Sequence, residues 1–160
     1  MLKRYAIRRA KSADIDRILE IELASFGREA YDRKLFAEYH RKCGELFLLA
    51  QGARTADGGR IIDGYSIACM CERRGNWVAS LESIAVAPNA RGKGAASSLL
   101  KSTIRRLKLR GVGRLTLMVR SSNGDAMRLY ERCGFAAVRR APGYYEDGED
   151  GLLMRKDLML

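Results

Sequence analysis

A loop between two regular segments carries residues that could bind an anion. The stretch VAPNARGKGAASSLLKS runs from Val86 to Ser102: an apolar run stops at Pro88, two glycines and two cations follow, and an amphipathic segment begins. Glycine lets a ligand approach the main chain, and the first N–H groups of a helix have no partner within it. Together with the positive helix end, Arg91 and Lys93 suit a pyrophosphate. A plain tight turn before a helix would have the same composition, so the loop alone leaves both interpretations open.

Two common nucleotide-binding loops are absent from this stretch. The chain contains no GxxxxGK[ST] sequence, so ATP hydrolysis has no support. The loop does not match GxGxxG either, which disfavours a nicotinamide cofactor.

Two motifs resemble the GNAT superfamily of N-acetyltransferases. IAVAPNARGKGAA is similar to its acyl-CoA signature, an Arg or Gln followed at fixed spacing by two small residues, at Arg91, Gly94 and Ala96. VRSSNGDAMRLYERCGF contains every fixed position of its second stretch, V-R-x-x-N-x-x-A-x-x-L-Y-x-x-x-G-F. The motifs are about thirty residues apart, and the resemblance covers most of the chain from Trp77 onward. It implies one acetyltransferase domain over residues 1–160, with acetyl-CoA as acyl donor and no metal.

The resemblance also assigns the contacts of acetyl-CoA. Three strand residues would hydrogen-bond the pantetheine arm through their main chain, as an added strand would, and the loop and helix start would hold the pyrophosphate. Asn123 would contact the pantetheine amide, and Tyr130 would lie near the sulfur. From the residues alone, Asn123 is equally a helix cap and Tyr130 a core aromatic. The full expected set is Ile84, Ala85, Val86, Arg91, Gly92, Lys93, Gly94, Ala95, Ala96, Ser97, Asn123 and Tyr130.

Acetyl transfer to an amine needs an unprotonated amine, a base for its proton and an acid for the departing thiolate. The phenol of Tyr130 suits the acid, because its ordinary pKa of about 10 keeps it protonated at neutral pH. The thioester transfers directly in this superfamily, so no serine or cysteine nucleophile is expected.

The C-terminal stretch GYYEDGEDGLLMRKDL indicates the acceptor. It is similar to protein N-terminal acetyltransferases, including archaeal and eukaryotic catalytic subunits and the bacterial ribosomal-protein-alanine enzyme. In these enzymes a tyrosine pair before an acidic, glycine-containing turn helps to enclose the peptide N-terminus, and Tyr144 and Tyr145 match that pair. The alternative is two exposed aromatic residues on a hairpin loop with Asp147 and Gly148 as its turn.

The general base is not identified by these motifs. The bacterial enzymes commonly have a glutamate two residues before the arginine of V-R, where TLMVR has Met118, and methionine accepts no proton. REAY resembles the E-N-Y stretch of other N-terminal acetyltransferases, which makes Glu29 one candidate base and Tyr31 a substrate contact. Glu82 is the second candidate. A water relay, or two merely solvated carboxylates, are the alternatives.

The absent glutamate favours an α-amine as acceptor. An α-amino group titrates near 7.7–8.0 and a lysine amine near 10.4, so only the former is substantially neutral at physiological pH. We therefore expect acetylation of a peptide or protein N-terminus, ribosomal proteins included. Two alternatives remain: transfer to a small amine (polyamine, amino sugar or amino acid), and a catalytically silent module that binds acyl-CoA or associates with nucleic acid.

Hydrophobic periodicity predicts the elements that position these residues. The predicted strands are about 5–10, 46–50, 61–72, 77–86, 113–120, 136–140 and 151–158, and the predicted helices are about 12–26, 31–43, 94–110 and 122–134. Residues 51–60 form a turn-rich connector, and the stripe of the first helix is Ile15, Ile18, Leu19, Leu23 and Phe26. This order predicts a mixed α/β domain around one twisted sheet. The resemblance implies a GNAT-type fold, with six or seven mostly antiparallel strands and about four helices.

The composition indicates which partners and which cellular compartment to expect. A net charge of +11, from 30 Lys and Arg against 19 Asp and Glu, favours anionic partners, although direct binding of nucleic acid is not expected. No apolar stretch approaches a membrane span, and the charged N-terminus is unlike a secretory signal, so a cytoplasmic monomer or homodimer is expected. The cysteines at positions 43, 69, 71 and 133 are interpreted as small buried thiols rather than zinc ligands. The lone His40 is too isolated for a Ser-His-Asp or Cys-His mechanism.

Overall fold

The computed structural model describes residues 4–159, which form seven strands and four α-helices. The strands are β1 (Ala6–Arg9), β2 (Phe47–Arg54), β3 (Arg60–Arg73), β4 (Asn76–Val86), β5 (Arg114–Arg120), β6 (Ala136–Ala141) and β7 (Gly151–Asp157). The helices are α1 (Ile15–Phe26), α2 (Arg33–Cys43), α3 (Ala95–Leu109) and α4 (Gly124–Arg132). The strands form one sheet in the order β1-β2-β3-β4-β5-β7-β6.

Strand pairing makes this sheet mixed but mainly antiparallel. β1 with β2, β2 with β3, β5 with β7, and β6 with β7 are antiparallel. β4 and β5 are parallel, with Val78 opposite Arg114 and Ser80 opposite Thr116. The predicted α/β class and the predicted order of elements are therefore confirmed.

The chain divides into two compact units: the segment up to Cys69 with Glu82–Thr103, and Met70–Leu81 with the segment from Ile104 onward. The first unit has an aromatic core in which Phe36, Phe47 and Tyr65 are fully buried. The rings of Phe36 and Tyr65 meet edge to face, with centroids 5.5 Å apart. Such pairs add to the stabilisation that comes from area burial alone.

The second unit is organised by the alternation of β5. Leu115, Leu117 and Val119 are buried, whereas Met118 and Arg120 occupy the opposite, more exposed face. This period of two is the strand signature that the sequence shows. It places Met118 and Arg120 on one face, two residues apart.

The predicted stripe of α1 is wrong at two positions. Leu23 is 65% exposed and Phe26 39% exposed, whereas Ile21 and Glu22 are buried. Glu22 lies seven residues after Ile15, which is again the core-facing position of the helix. A hydropathy count omits Glu22 because glutamate is polar. Tertiary hydrogen bonds compensate the burial of its carboxylate.

The connector after β2 is also shorter than predicted. β2 continues to Arg54, opposite Arg60, through two irregularities in register after Ala50. Bulges let a strand continue pairing through residues whose types favour turns.

Interpreting every cysteine as a buried thiol is wrong. Cys43, the last residue of α2, forms a disulfide with Cys69 of β3, with their Cα atoms 5.2 Å apart. Cys71 is exposed, and Cys133 is half-buried. The packing of α2 against β3 brings together two thiols that are 26 residues apart, which no local pattern reveals.

None of the helices within residues 4–159 is long and apolar enough to cross a membrane.

Candidate functional site

The loop from β4 to α3 has the conformation that its glycines allow. β4 ends at Val86, a 3-10 turn covers Pro88–Ala90, and α3 begins at Ala95. Gly92 and Gly94 have φ angles of 76° and 94°, in the left-handed region that favours glycine. The first N–H groups of α3 lack acceptors within the helix, so this turn can receive an anion.

Both cations of the loop are held by the chain itself. Arg91 donates through Nε to the carbonyl of Val86 at 3.2 Å and through Nη2 to Ser25 Oγ at 3.3 Å. Lys93 donates through Nζ to the carbonyl of Asn89 at 3.1 Å. These bonds order the loop and fix two positive charges beside the start of α3.

The end of β4 shows how the predicted pantetheine strand is oriented. A Cβ on Gly64 of β3 would lie 2.9 Å from the carbonyl oxygen of Ala85, so that carbonyl faces β3. The N–H of Ala87 also donates to β3, to the carbonyl of Asp63 at 2.7 Å. The carbonyl of Val86 instead accepts from Arg91. The side chain of Ile84, two residues before Val86, is half-buried.

Tyr31 and Glu82 lie together in the first unit, and Tyr39 joins them. The phenol of Tyr31 is 3.5 Å from the carbonyl oxygen of Glu82, and its ring centroid is 6.1 Å from that of Tyr39. Burial, and secondarily the charge of Glu82, raises the pKa of Tyr39 to about 12. Glu29 ends the 3-10 turn Gly27–Glu29 and is exposed to solvent.

A buried carboxylate behind Tyr31 escaped the sequence analysis. Glu22 is 1% exposed and accepts from the Tyr31 main-chain N–H at 2.9 Å and from the phenol of Tyr65. The Tyr65 oxygen is also 2.8 Å from Ser83 Oγ, next in the chain to Glu82. Burial raises the pKa of Glu22 and of Tyr65. The chain of contacts ties Tyr31 to the strand that carries Glu82.

Asn123 caps α4 in the second unit. Its side-chain oxygen accepts from the main-chain N–H of Ala126 at 3.2 Å, so the helix-cap interpretation is confirmed. Its contact with pantetheine stays a prediction.

Tyr130 is buried on α4, with 6% of its surface exposed. Its ring packs edge to face on Phe135, with centroids 5.9 Å apart. Burial, followed by the proximity of Tyr145 and Cys133, raises the pKa of Tyr130 to about 12. The phenol therefore holds its proton throughout the physiological range.

The tyrosine pair occupies the loop between β6 and β7. The rings of Tyr144 and Tyr145 are nearly perpendicular, with centroids 5.0 Å apart, and Tyr144 is 55% exposed. The N–H of Gly148 donates to the carbonyl of Tyr145 at 2.9 Å, which closes the predicted turn. Gly151 has room for no side chain, because its Cβ would lie 2.8 Å from the sulfur of Met118 and 3.2 Å from the Cβ of Tyr144. Met118 thus packs beside the pair.

Among residues 4–159, no three His, Cys, Asp or Glu side chains form a group able to hold a metal ion.

Comparison with known proteins adds a family. Residues 13–135 match the model of the acetyltransferase (GNAT) family. The chain is 34% identical to an N-alpha-acetyltransferase of Saccharolobus solfataricus, over 96% of this chain and 93% of that protein. It is 30% identical to a Bacillus subtilis protein provisionally assigned as a ribosomal protein bS18-alanine N-acetyltransferase, over 96% of each.

Solved structures share the fold. Ard1 from Thermoplasma volcanium superposes with a TM-score of 0.85 at 24% identity, covering 98% of this chain and 99% of that chain. Arabidopsis thaliana NAA60, solved in complex with acetyl-CoA, gives a TM-score of 0.83 at 18% identity, covering 96% and 99%.

Proposed function

Since the chain belongs to the acetyltransferase (GNAT) family, we propose that it transfers acetyl from acetyl-CoA to the N-terminal α-amine of a peptide or protein. The observation that carries this proposal is the β4–α3 loop, with left-handed glycines and two ordered cations before a helix. The named activity of the 34%-identical relative supports the choice of an N-terminal acceptor. The whole chain would act as one catalytic domain.

The residues present fit acetyl-CoA. Gly92 to Ser97 would hold the pyrophosphate with main-chain N–H groups, while Arg91 and Lys93 balance its charge. A Cβ on Gly92 would meet nothing within 4 Å, so the loop has open space beside its main chain. Ile84, Ala85 and Val86 would receive the pantetheine arm, with Asn123 on its amide; Ala85, whose carbonyl faces β3, would contribute least. When bound, the thioester supplies the activated acetyl group.

Tyr130 would protonate the departing thiolate. Because its pKa is about 12, the phenol is protonated at neutral pH and has a proton to donate. A nucleophilic residue is not required for this reaction.

Glu82 is our preferred base. Its carboxylate hydrogen-bonds the phenol of Tyr39, and its main-chain carbonyl lies 3.5 Å from the phenol of Tyr31, whereas Glu29 lies exposed on its turn. The two candidates are separated by substitution to glutamine: loss of turnover in Glu82→Gln with Glu29→Gln near the wild-type rate supports Glu82. The opposite pattern assigns the base to Glu29.

An α-amine needs little help from a base. With an ordinary pKa near 7.8, roughly a quarter of it is neutral at pH 7.4, against roughly one lysine amine in a thousand. Because so much of an α-amine is already neutral, the reaction can proceed with Met118 at the position where the bacterial enzymes have a glutamate base. Tyr31, Tyr144 and Tyr145 are the proposed contacts of the acceptor.

The experiment is CoA release from acetyl-CoA with short peptides, each with a free and a blocked N-terminus, beside spermidine and free lysine. Release that requires a free peptide N-terminus is the expected result. Release with spermidine or lysine alone would replace the proposal with a small-amine acetyltransferase. Binding of acetyl-CoA without any release would leave a silent module, in line with Met118.

The proposal extends to the setting of the enzyme. We place it in the cytoplasm as a monomer or homodimer, and ribosomal proteins are among its candidate acceptors because of the named activity of the Bacillus relative. Equilibrium sedimentation and acetylome comparison of cells with and without the protein test these points.

A further inference from the structure

Arg120, the last residue of β5, binds the loop that joins β6 to β7. Its Nη1 donates to the carboxylates of Glu149 and Asp147, each at 2.9 Å. The Arg120 side chain is only 23% exposed. Because Arg120 is opposite Gly151 in the β5–β7 ladder, it lies beside the residue at which the loop ends.

The same guanidinium covers an aromatic ring. Its Cζ lies 4.1 Å from the ring centroid of Tyr145, which in turn contacts the ring of Tyr144. A guanidinium on a ring face gains cation–π attraction, most of all where solvent is partly excluded. Arg120 therefore contacts the tyrosine pair directly through the ring of Tyr145, and it binds the loop that carries the pair through two carboxylates.

Glu149 anchors this arrangement to the main chain. Its second oxygen accepts from the Ser122 N–H at 2.9 Å and from Ser121 Oγ at 3.4 Å. Hydrogen bonds from Ser122 and then from Arg120 lower the pKa of Glu149 to about 2, so the carboxylate stays ionised at physiological pH. The Glu149 carbonyl also accepts from the N–H of Tyr145 at 3.1 Å.

Lysine could not make this set of contacts. A planar guanidinium offers several donors in one plane while its face stacks on a ring, whereas an ammonium is a compact point charge. Arg140, which pairs with Asp150 of the same loop at 3.5 Å and is 64% exposed, provides a matched control.

We propose that Arg120 is a positioning residue for the acceptor peptide, which it serves by fixing Tyr145 and Tyr144 in the orientation that the first peptide residues meet. This rests on the proposed function, in which the tyrosine pair contacts the acceptor. The first test is steady-state kinetics of Arg120→Gln, Arg120→Lys and Arg140→Gln with a free N-terminal peptide.

In Arg120→Gln, the KM for the peptide should rise roughly tenfold while the KM for acetyl-CoA stays constant. Arg120→Lys should lie between Arg120→Gln and wild type, and Arg140→Gln should match wild type. An unchanged peptide KM in Arg120→Gln, or an equal rise in Arg140→Gln, overturns the proposal.

A second readout does not depend on activity. Chymotrypsin cleaves after tyrosine, so release of the loop should speed cleavage at Tyr144 and Tyr145 roughly tenfold in Arg120→Gln, with Arg140→Gln unchanged. Equal cleavage in all three proteins overturns the proposal. If wild type acetylates no peptide, the proposed function fails, and the proteolysis result still decides whether Arg120 orders the pair.

Discussion

Reducing the Cys43–Cys69 disulfide should lower the stability of the protein by a predictable amount. The bond joins the end of α2 to β3 across 26 residues of sequence. A cross-link restricts the unfolded chain, so cutting it restores entropy to the unfolded state. Cys71 is exposed and outside the disulfide, which makes it the natural control position.

The size of the effect follows from the length of the closed loop. For 26 residues, the chain-entropy relation gives about 3.5 kcal/mol at 25 °C. A chain of 160 residues has an unfolding entropy of about 0.34 kcal/mol/K near its melting point. The quotient is a fall in Tm of about 10 °C.

Thermal unfolding followed by circular dichroism measures this change directly. Wild type would be compared oxidised and reduced, beside a Cys43→Ser, Cys69→Ser double variant and a Cys71→Ser variant. The reduced wild type and the double variant should both melt about 10 °C lower than the oxidised protein, and the reductant should not move the double variant. Cys71→Ser should melt like wild type in both states.

Two results would refute the reasoning. One is a mass spectrum of the unreduced, denatured protein in which all four cysteines are alkylated, because this would show that no disulfide forms. The other is a formed disulfide whose reduction leaves Tm unchanged, because the loop-entropy argument would then fail.

Three further predictions concern the candidate site. Gly94→Ala places a side chain at φ 94°, at a cost of about 1–2 kcal/mol, and should weaken acetyl-CoA binding roughly tenfold by calorimetry. The control is Gly111→Ala, at φ 73° after the other end of α3, which should lower stability and leave acetyl-CoA binding unchanged. Equal affinities of wild type and both variants would contradict the loop assignment. Tyr130→Phe should lower kcat roughly a hundredfold with unchanged acetyl-CoA affinity, and a wild-type kcat would remove Tyr130 from the acid role. Burial raises the pKa of Glu22, so its contribution to stability is complete at low pH and is lost as pH rises through the folded value. Glu22→Gln should therefore gain stability relative to wild type in urea unfolding as pH rises above about 4, the ordinary range of a glutamate, and a constant difference would contradict the raised pKa.

The parts of the site that could be predicted from sequence are those that depend on neighbours in the chain. Gly92 and Gly94 predict a turn before a helix, and the structure has that turn, with both glycines at left-handed φ angles. Asn123 before an apolar-periodic run predicts a cap, and it caps α4. The alternation around Met118 predicts β5 within one residue. Each depends on dihedral preference or on a period of two or four residues, which are local properties.

Residues that act through distant partners could not be assigned this way. Its residue type would place Glu22 at the surface, yet it is buried and accepts a hydrogen bond from Tyr65, 43 residues later. Arg120 fits a family motif, but its partner Glu149 lies 29 residues away, across a strand and a loop. Cys43 and Cys69 needed the packing of α2 on β3 to become a pair.

The sequence by itself determined the α/β class, the order of elements, the glycine-containing turn before α3 and the family, because these depend on dihedral preference, side-chain period and motif spacing along the chain. Only the tertiary structure decided which carboxylate is buried, which thiols are joined and which arginine holds the tyrosine pair. These outcomes depend on the distance between residues far apart in sequence, and that distance is set by packing the whole sheet and its helices.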